Sequence, residues 1–140
     1  MSSGPAPGFA KHPGYEVKLQ PAAGRHALFF NGQCVADSTE AVLVQETKHY
    51  PVVYFPAAAV PQAVLRATEH ASHCPFKGDA TYWDLAVGDE VLKNAVWAYP
   101  DPYDECDPIA GYYGFYLSRL SGYQIDGVEQ PRIGPGYIKD

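Results

Sequence analysis

The amino-acid sequence predicts a mainly-β single domain, two antiparallel sheets with one short α-helix, and three observations carry that prediction. Short β-prone runs recur along the chain at roughly ten-residue spacing. Three joints between runs pair glycine with Asn or Asp, at Asn31-Gly32, Gly88-Asp89 and Asp126-Gly127, and such pairs tolerate the positive φ that tight hairpins demand. Only one stretch has helical character.

In chain order, residues 1–14 hold three Pro and three Gly with little apolar content and read as a flexible arm. The domain proper is expected over 15–130. HALFFNGQCVADS (26–38) places two strands around Asn31-Gly32, and AVLVQET (41–47) and VVYFP (52–56) are further strands closed by breakers. PQAVLRATEHA (61–71) predicts the helix, with Pro61 suited to a first turn and Val60, Val64 and Leu65 on one stripe. DATYWDLAVGDEVLKNAVWAYP (79–100) gives two strands around Gly88-Asp89, IAGYYGFYLS (109–118) another, and YQIDGVEQP (123–131) a last turn. Residues 131–140 read as a tail.

Composition limits what the chain does. At 46% hydrophobic and 19% charged residues it is globular, and its length of 140 supplies one core. Eleven Tyr, six Phe and two Trp are an excess of large side chains with polar edges, which line concave sites as well as cores. A net charge of −6 with no two Lys or Arg residues adjacent speaks against a nucleic-acid partner. Cys34, Cys74 and Cys106 are odd in number and form no C-x-x-C pair, which fits a reducing cytoplasm better than a disulfide framework. With no apolar run of membrane length and no leader signature, a soluble cytoplasmic protein without a membrane partner is expected. No P-loop, dinucleotide glycine motif or Ser-His-Asp signature is present, so no cofactor is assigned.

The ordered blocks NGQCVADS, Glu46, YPVVYFP, CPFKGDATYW, NAVWAYPDP and IAGYYGFY resemble the microbial family called domain of unknown function 427, from about His12 to Asp126. The resemblance implies a β-tent fold, in which two antiparallel sheets lean together, as in the thalidomide-binding domain of cereblon. Many β-tent proteins hold zinc through paired cysteines, which this chain lacks. A nucleotidyltransferase-like label also attaches to the family, yet no Gly-Ser with spaced aspartates stands here to hold two magnesium ions. Ala57, Ala58 and Ala59 occupy positions where the family pattern carries a basic residue and Asp. An Asp at position 59 would cap a helix starting near Pro61, a contribution of roughly 1 kcal/mol.

Several residues are candidates for chemistry, each with a structural alternative. Cys74 stands three residues from Lys77, and a neighbouring cation promotes the thiolate; equally, Cys74 is a small buried side chain opening a strand. Glu46 ends an apolar strand, placed either for proton transfer or for an ion pair with Lys48 or Lys77. Tyr54, Phe76, Tyr82, Trp83, Trp97 and Tyr99 form an aromatic set in which alternation sends Trp97 and Tyr99 to one face and splits Tyr82 from Trp83. His70, His73 and Cys74 have a spacing that shares one helical face, but the predicted helix ends near Ala71 and no metal is assigned. DPYDECD (101–107) lacks the glycine and closing glutamate of a calcium loop and reads as solvated.

The leading reading is a protein that binds a small polar or flat ligand in a cleft between the sheets, lined by Tyr54, Trp83, Trp97 and Tyr99 and edged by Lys77, Glu46 and Cys74. The second is an enzyme in the same place, with Cys74 as nucleophile, Lys77 holding the thiolate or an anionic substrate and Glu46 moving protons. The third is an assembly module that forms a homodimer through a sheet edge or aromatic patch.

Overall fold

A computed structural model describes residues 4–138 of the chain. After a four-residue helix α1 (Gly8–Lys11) come eleven strands: β1 (Val17–Pro21), β2 (His26–Phe30), β3 (Gln33–Ser38), β4 (Val42–Glu46), β5 (Val52–Phe55), β6 (Leu65–Cys74), β7 (Gly78–Val87), β8 (Glu90–Ala98), β9 (Tyr113–Phe115), β10 (Gly122–Ile125) and β11 (Val128–Glu129). They form a seven-stranded sheet in the order β1-β4-β5-β9-β8-β7-β6 and a four-stranded sheet in the order β11-β10-β2-β3. Every pairing between strands is antiparallel. The expected fold class is the observed one.

The hairpin turns fall where the sequence placed them. Asn31 and Gly32 take φ of 49° and 79° between β2 and β3, and Asp126 and Gly127 take 51° and 80° between β10 and β11. Asn31 does more than turn the chain, because its amide donates to the Val87 carbonyl at 3.0 Å and ties the small sheet to the end of β7.

Alternation along the large sheet sorts its side chains into two layers. Val53, Phe55, Val96, Ala98 and Phe115 face the small sheet and meet Leu28, Phe30, Val35 and Tyr123 in the main core. Val44, Tyr54, Ala80, Trp97 and Tyr99 face the opposite way, where Cys106 and Ile109 from a 3-10 segment (Asp104–Ile109) cover part of the sheet. Burial of this second layer follows from two-sided strands, with near-continuous apolar runs such as VVYF in β5.

The helix predicted over 61–71 is absent. Residues Gln62–Val64 make one 3-10 turn, and Leu65–Cys74 is the edge strand β6, paired with β7 from Leu65↔Leu85 to Cys74↔Gly78. Helix propensity is a weak prior, and a ladder against β7 satisfies the backbone of a segment that includes Thr68, His70 and Ser72. Val60, Val64 and Leu65 still turn toward the main core, so the apolar stripe was real and its period was misread. With no helix at Pro61, a cap at position 59 has nothing to cap; Ala57–Ala59 forms its own 3-10 turn. The strand expected over 109–118 shortens to β9, because Asp104–Ile109 turns and Gly111 takes φ of 73°. β6 carries a register shift between Ala67 and Ala71 and a mostly exposed polar face, which blunts an open edge against strand addition.

Residues 4–14 and 131–138, read from the sequence as arm and tail, are tied at several points to loops at the ends of the large sheet's strands. Gly8 N–H donates to the Pro75 carbonyl at 2.9 Å, and Tyr50 N–H and Ile138 N–H bond to the Gly136 and Lys48 carbonyls at 2.9 and 2.7 Å. The ends of the expected arm and tail, 1–3 and 139–140, lie outside the described residues. Among the described residues no helix is long and apolar enough to cross a membrane.

Candidate functional site

On the face of the large sheet turned away from the small one lies a cleft of about 570 Å³. A cleft between the sheets was expected, and the correction has a simple cause. That space is filled by the main core, whereas the opposite face is covered in part, by the 3-10 segment and by loops and chain ends around the cleft. Its floor is Tyr54 from β5, Trp97 from β8 and Tyr99, the residue that follows β8; its rim includes Tyr82 and Cys74 from β7 and β6.

The floor is set by register and by one glycine. Tyr54 and Trp97 both stand opposite Gly114 of β9, from either side. A Cβ on Gly114 would lie 2.7 Å from Trp97 Cε2, so the indole rests on the bare backbone of β9. Trp97 Nε1–H donates to the Tyr54 hydroxyl at 3.0 Å, and the two rings meet edge to face at 6.2 Å. Burial pushes the Tyr54 and Tyr99 phenols far above their ordinary range, so both stay neutral donors. An Asp84-capped bulge fixes β8 in place: Asp84 Oδ1 accepts the Asn94 N–H at 2.8 Å where the β7–β8 register shifts, and Asn94 reaches the cleft.

Trp83 is not in the cleft. It pairs with Val96 and its ring meets Tyr113 edge to face at 5.1 Å on the main-core side, while Tyr82, paired with Trp97, takes the cleft position. Alternation already separated the two neighbours; only the β7–β8 register says which of them joins Trp97.

Glu46 and Lys77 meet, as one of the sequence alternatives had it. Lys77, in the β6–β7 turn, donates to Glu46 Oε1, and the Tyr15 hydroxyl donates to Glu46 Oε2. The two charged side chains keep 8% and 11% of their surface exposed, so this is a buried pair and not a surface one. Burial acts to raise the Glu46 pKa, but Lys77 and the Tyr15 hydrogen bond outweigh it and hold the carboxyl below the usual carboxylate range. Tyr15 stacks on Phe76 at 3.9 Å, and His49, whose Nδ1 lies 2.9 Å from the Thr47 carbonyl, meets the Tyr137 ring at a tilt of 36° and 4.2 Å.

Cys74 lies at the rim, half-buried against the Tyr54–Trp97 layer, but the Lys77 ammonium is committed to Glu46. The arrangement therefore gives Cys74 no ammonium dedicated to its thiolate. His70, His73 and Cys74 sit on a strand, where no helical face unites them. His73 bonds Asp79 at 2.7 Å, His70 packs on Tyr82, and no group of three metal-ligating side chains occurs among the described residues.

Sequence reasoning missed Tyr15, His49, Asn94, Tyr116 and Tyr137 as cleft residues. Tyr137 comes from the stretch read as a tail and Tyr15 is the first residue after the arm, and nothing local marks where either docks.

A family model described as a domain of unknown function (DUF427) matches residues 18–126 of this chain. The chain belongs to that family. No curated protein matches it. The matched span holds Glu46, Cys74, Lys77, Trp97 and Tyr99 but stops short of Tyr15 and Tyr137, so the parts of the cleft wall supplied by the two chain ends lie outside it.

Proposed function

We propose that this chain is a binding protein whose cleft takes a small, flat, polar molecule. The observation that carries this reading is the facing of an aromatic floor, Tyr54, Trp97 and Tyr99, with a buried ion pair in one cavity of about 570 Å³, a volume within the range of small-molecule sites. The floor supplies apolar contact and the polar rim supplies orientation. Catalysis by Cys74 draws less support, since the Lys77 ammonium bonds Glu46 and not the Cys74 thiol among the described residues.

The experiment is a fragment screen by two-dimensional NMR of the labelled protein, reading the two indole N–H signals. Trp97 should shift on binding while Trp83, on the other face, stays put. Cys74→Ala should preserve the response and Tyr99→Ala should weaken it by roughly ten-fold, the loss expected for one large aromatic contact. A screen in which no flat polar fragment moves Trp97, or in which both indoles move alike, refutes the reading.

A further inference from the structure

The charged groups of the cleft are unequally satisfied. Among the described residues lining it, Glu46 is the one carboxylate and Lys77 the one lysine or arginine. Both oxygens of Glu46 are occupied, Oε1 by Lys77 and Oε2 by Tyr15. Lys77 is more than nine-tenths buried, and Glu46 is the acceptor the described residues give it. An ammonium carries three protons, and a buried donor left unmet is costly. Two Lys77 protons therefore have the cleft as their outlet.

The neighbouring groups add to the same surplus. Tyr54 accepts from Trp97, which leaves its own hydroxyl proton to give. The Tyr99 hydroxyl has no hydrogen-bond partner among the described residues, nor has the Asn94 side-chain amide, and both residues line the cleft. His49, His70 and His73 also line the cleft, and none of them brings a negative charge to it. Asp79, just beyond the rim, is exposed and bonded to His73. A cationic guest would find aromatic faces but no carboxylate oxygen without a donor, and it would approach an ammonium with two protons unmet.

We infer that the cleft selects a flat ring bearing an acid group, an aromatic or heteroaromatic carboxylate whose oxygens meet Lys77 while its ring lies over the Trp97–Tyr99 floor. This rests on the binding reading above and narrows it to one chemical class. Glu46 then acts as a built-in competitor, since it shares the ammonium with the guest.

The test uses matched sets differing in charge: indole-3-acetate, indole-3-acetamide and tryptamine, then benzoate, benzamide and benzylamine. Each is titrated into the full chain by calorimetry and by the Trp97 N–H signal. The acids are expected to bind about ten-fold tighter than the amides and tighter still than the amines. Glu46→Gln, near-isosteric, should raise acid affinity roughly three- to ten-fold because Lys77 loses its internal counter-ion, a gain that damage to the fold cannot mimic. If that variant does not fold, the wild-type ranking decides alone. Amines or amides binding as well as the acids overturns the acid preference and leaves the binding reading standing. A silent Trp97 with all six compounds overturns both.

Discussion

Replacing Lys77 by Met removes the cation of the buried pair and leaves its partner in place. Glu46 keeps about a tenth of its surface exposed, so water replaces the ammonium in small part. Breaking a buried pair from one side costs about 3–5 kcal/mol. Tyr15 still donates to Oε2 in the variant, which places the expected loss near the lower end, about 3 kcal/mol. Adding Glu46→Gln removes the stranded charge, and the double variant should recover to within about 1.5 kcal/mol of wild type, since neutral replacements of buried pairs are well tolerated. Urea unfolding at pH 7, with unchanged slope, measures each loss.

The same pair fixes the sign of a pH dependence. In the native protein the Glu46 carboxyl is held below its ordinary value. Its contribution to stability is complete above the unfolded value of about 4.3 and is lost as pH falls through the lowered native one. In Lys77→Met burial has no ammonium to oppose it, so the carboxyl titrates higher than in wild type and protonation costs the folded variant less. The gap between variant and wild type should therefore narrow from pH 7 to pH 4. A loss under about 1 kcal/mol, a gap that does not change with pH, or a double variant no better than the single one would refute the reasoning.

Two further outcomes test the floor and the thiols. Gly114→Ala drives a methyl into the Trp97 indole, 2.7 Å from Cε2; it should cost about 1–3 kcal/mol and shift the Trp97 N–H signal with little effect on Trp83, as read by urea unfolding and NMR. Cys106 is fully buried, and burial pushes its thiol up to about 12. Iodoacetamide at pH 8 should label the half-exposed Cys74 more than about a hundred-fold faster than Cys106, with the difference lost in urea, as followed by peptide mass spectrometry.

Much of this molecule was written locally. Asn31-Gly32 and Asp126-Gly127 need only their own backbone preferences to turn, and the turns formed there. Period-two alternation in β5, in β8 and through Tyr99 just after it separated Tyr54, Trp97 and Tyr99 from Val53, Phe55, Val96 and Ala98, whatever each set would meet. Spacing of the runs gave the all-antiparallel class. The acid and the lysine that meet in the cleft were both visible as candidates.

What the sequence alone left open was every decision that depends on a distant neighbour. Residues 65–71 have helix formers enough, and only the presence of β7 beside them makes an edge strand the better home for their backbone. The side on which the small sheet docks decides which aromatic layer becomes core and which becomes cleft, and no residue in β5 or β8 encodes that by itself. Register put Tyr82 and not Trp83 opposite Trp97. Tyr15 reaches Glu46 across 31 positions of sequence, and Tyr137 reaches His49 from the far end of the chain. Local preference and alternation act between near neighbours and so can be read along a string. Docking of loops, choice of face and pairing of buried charges are settled by free energies that exist only once the sheets have met.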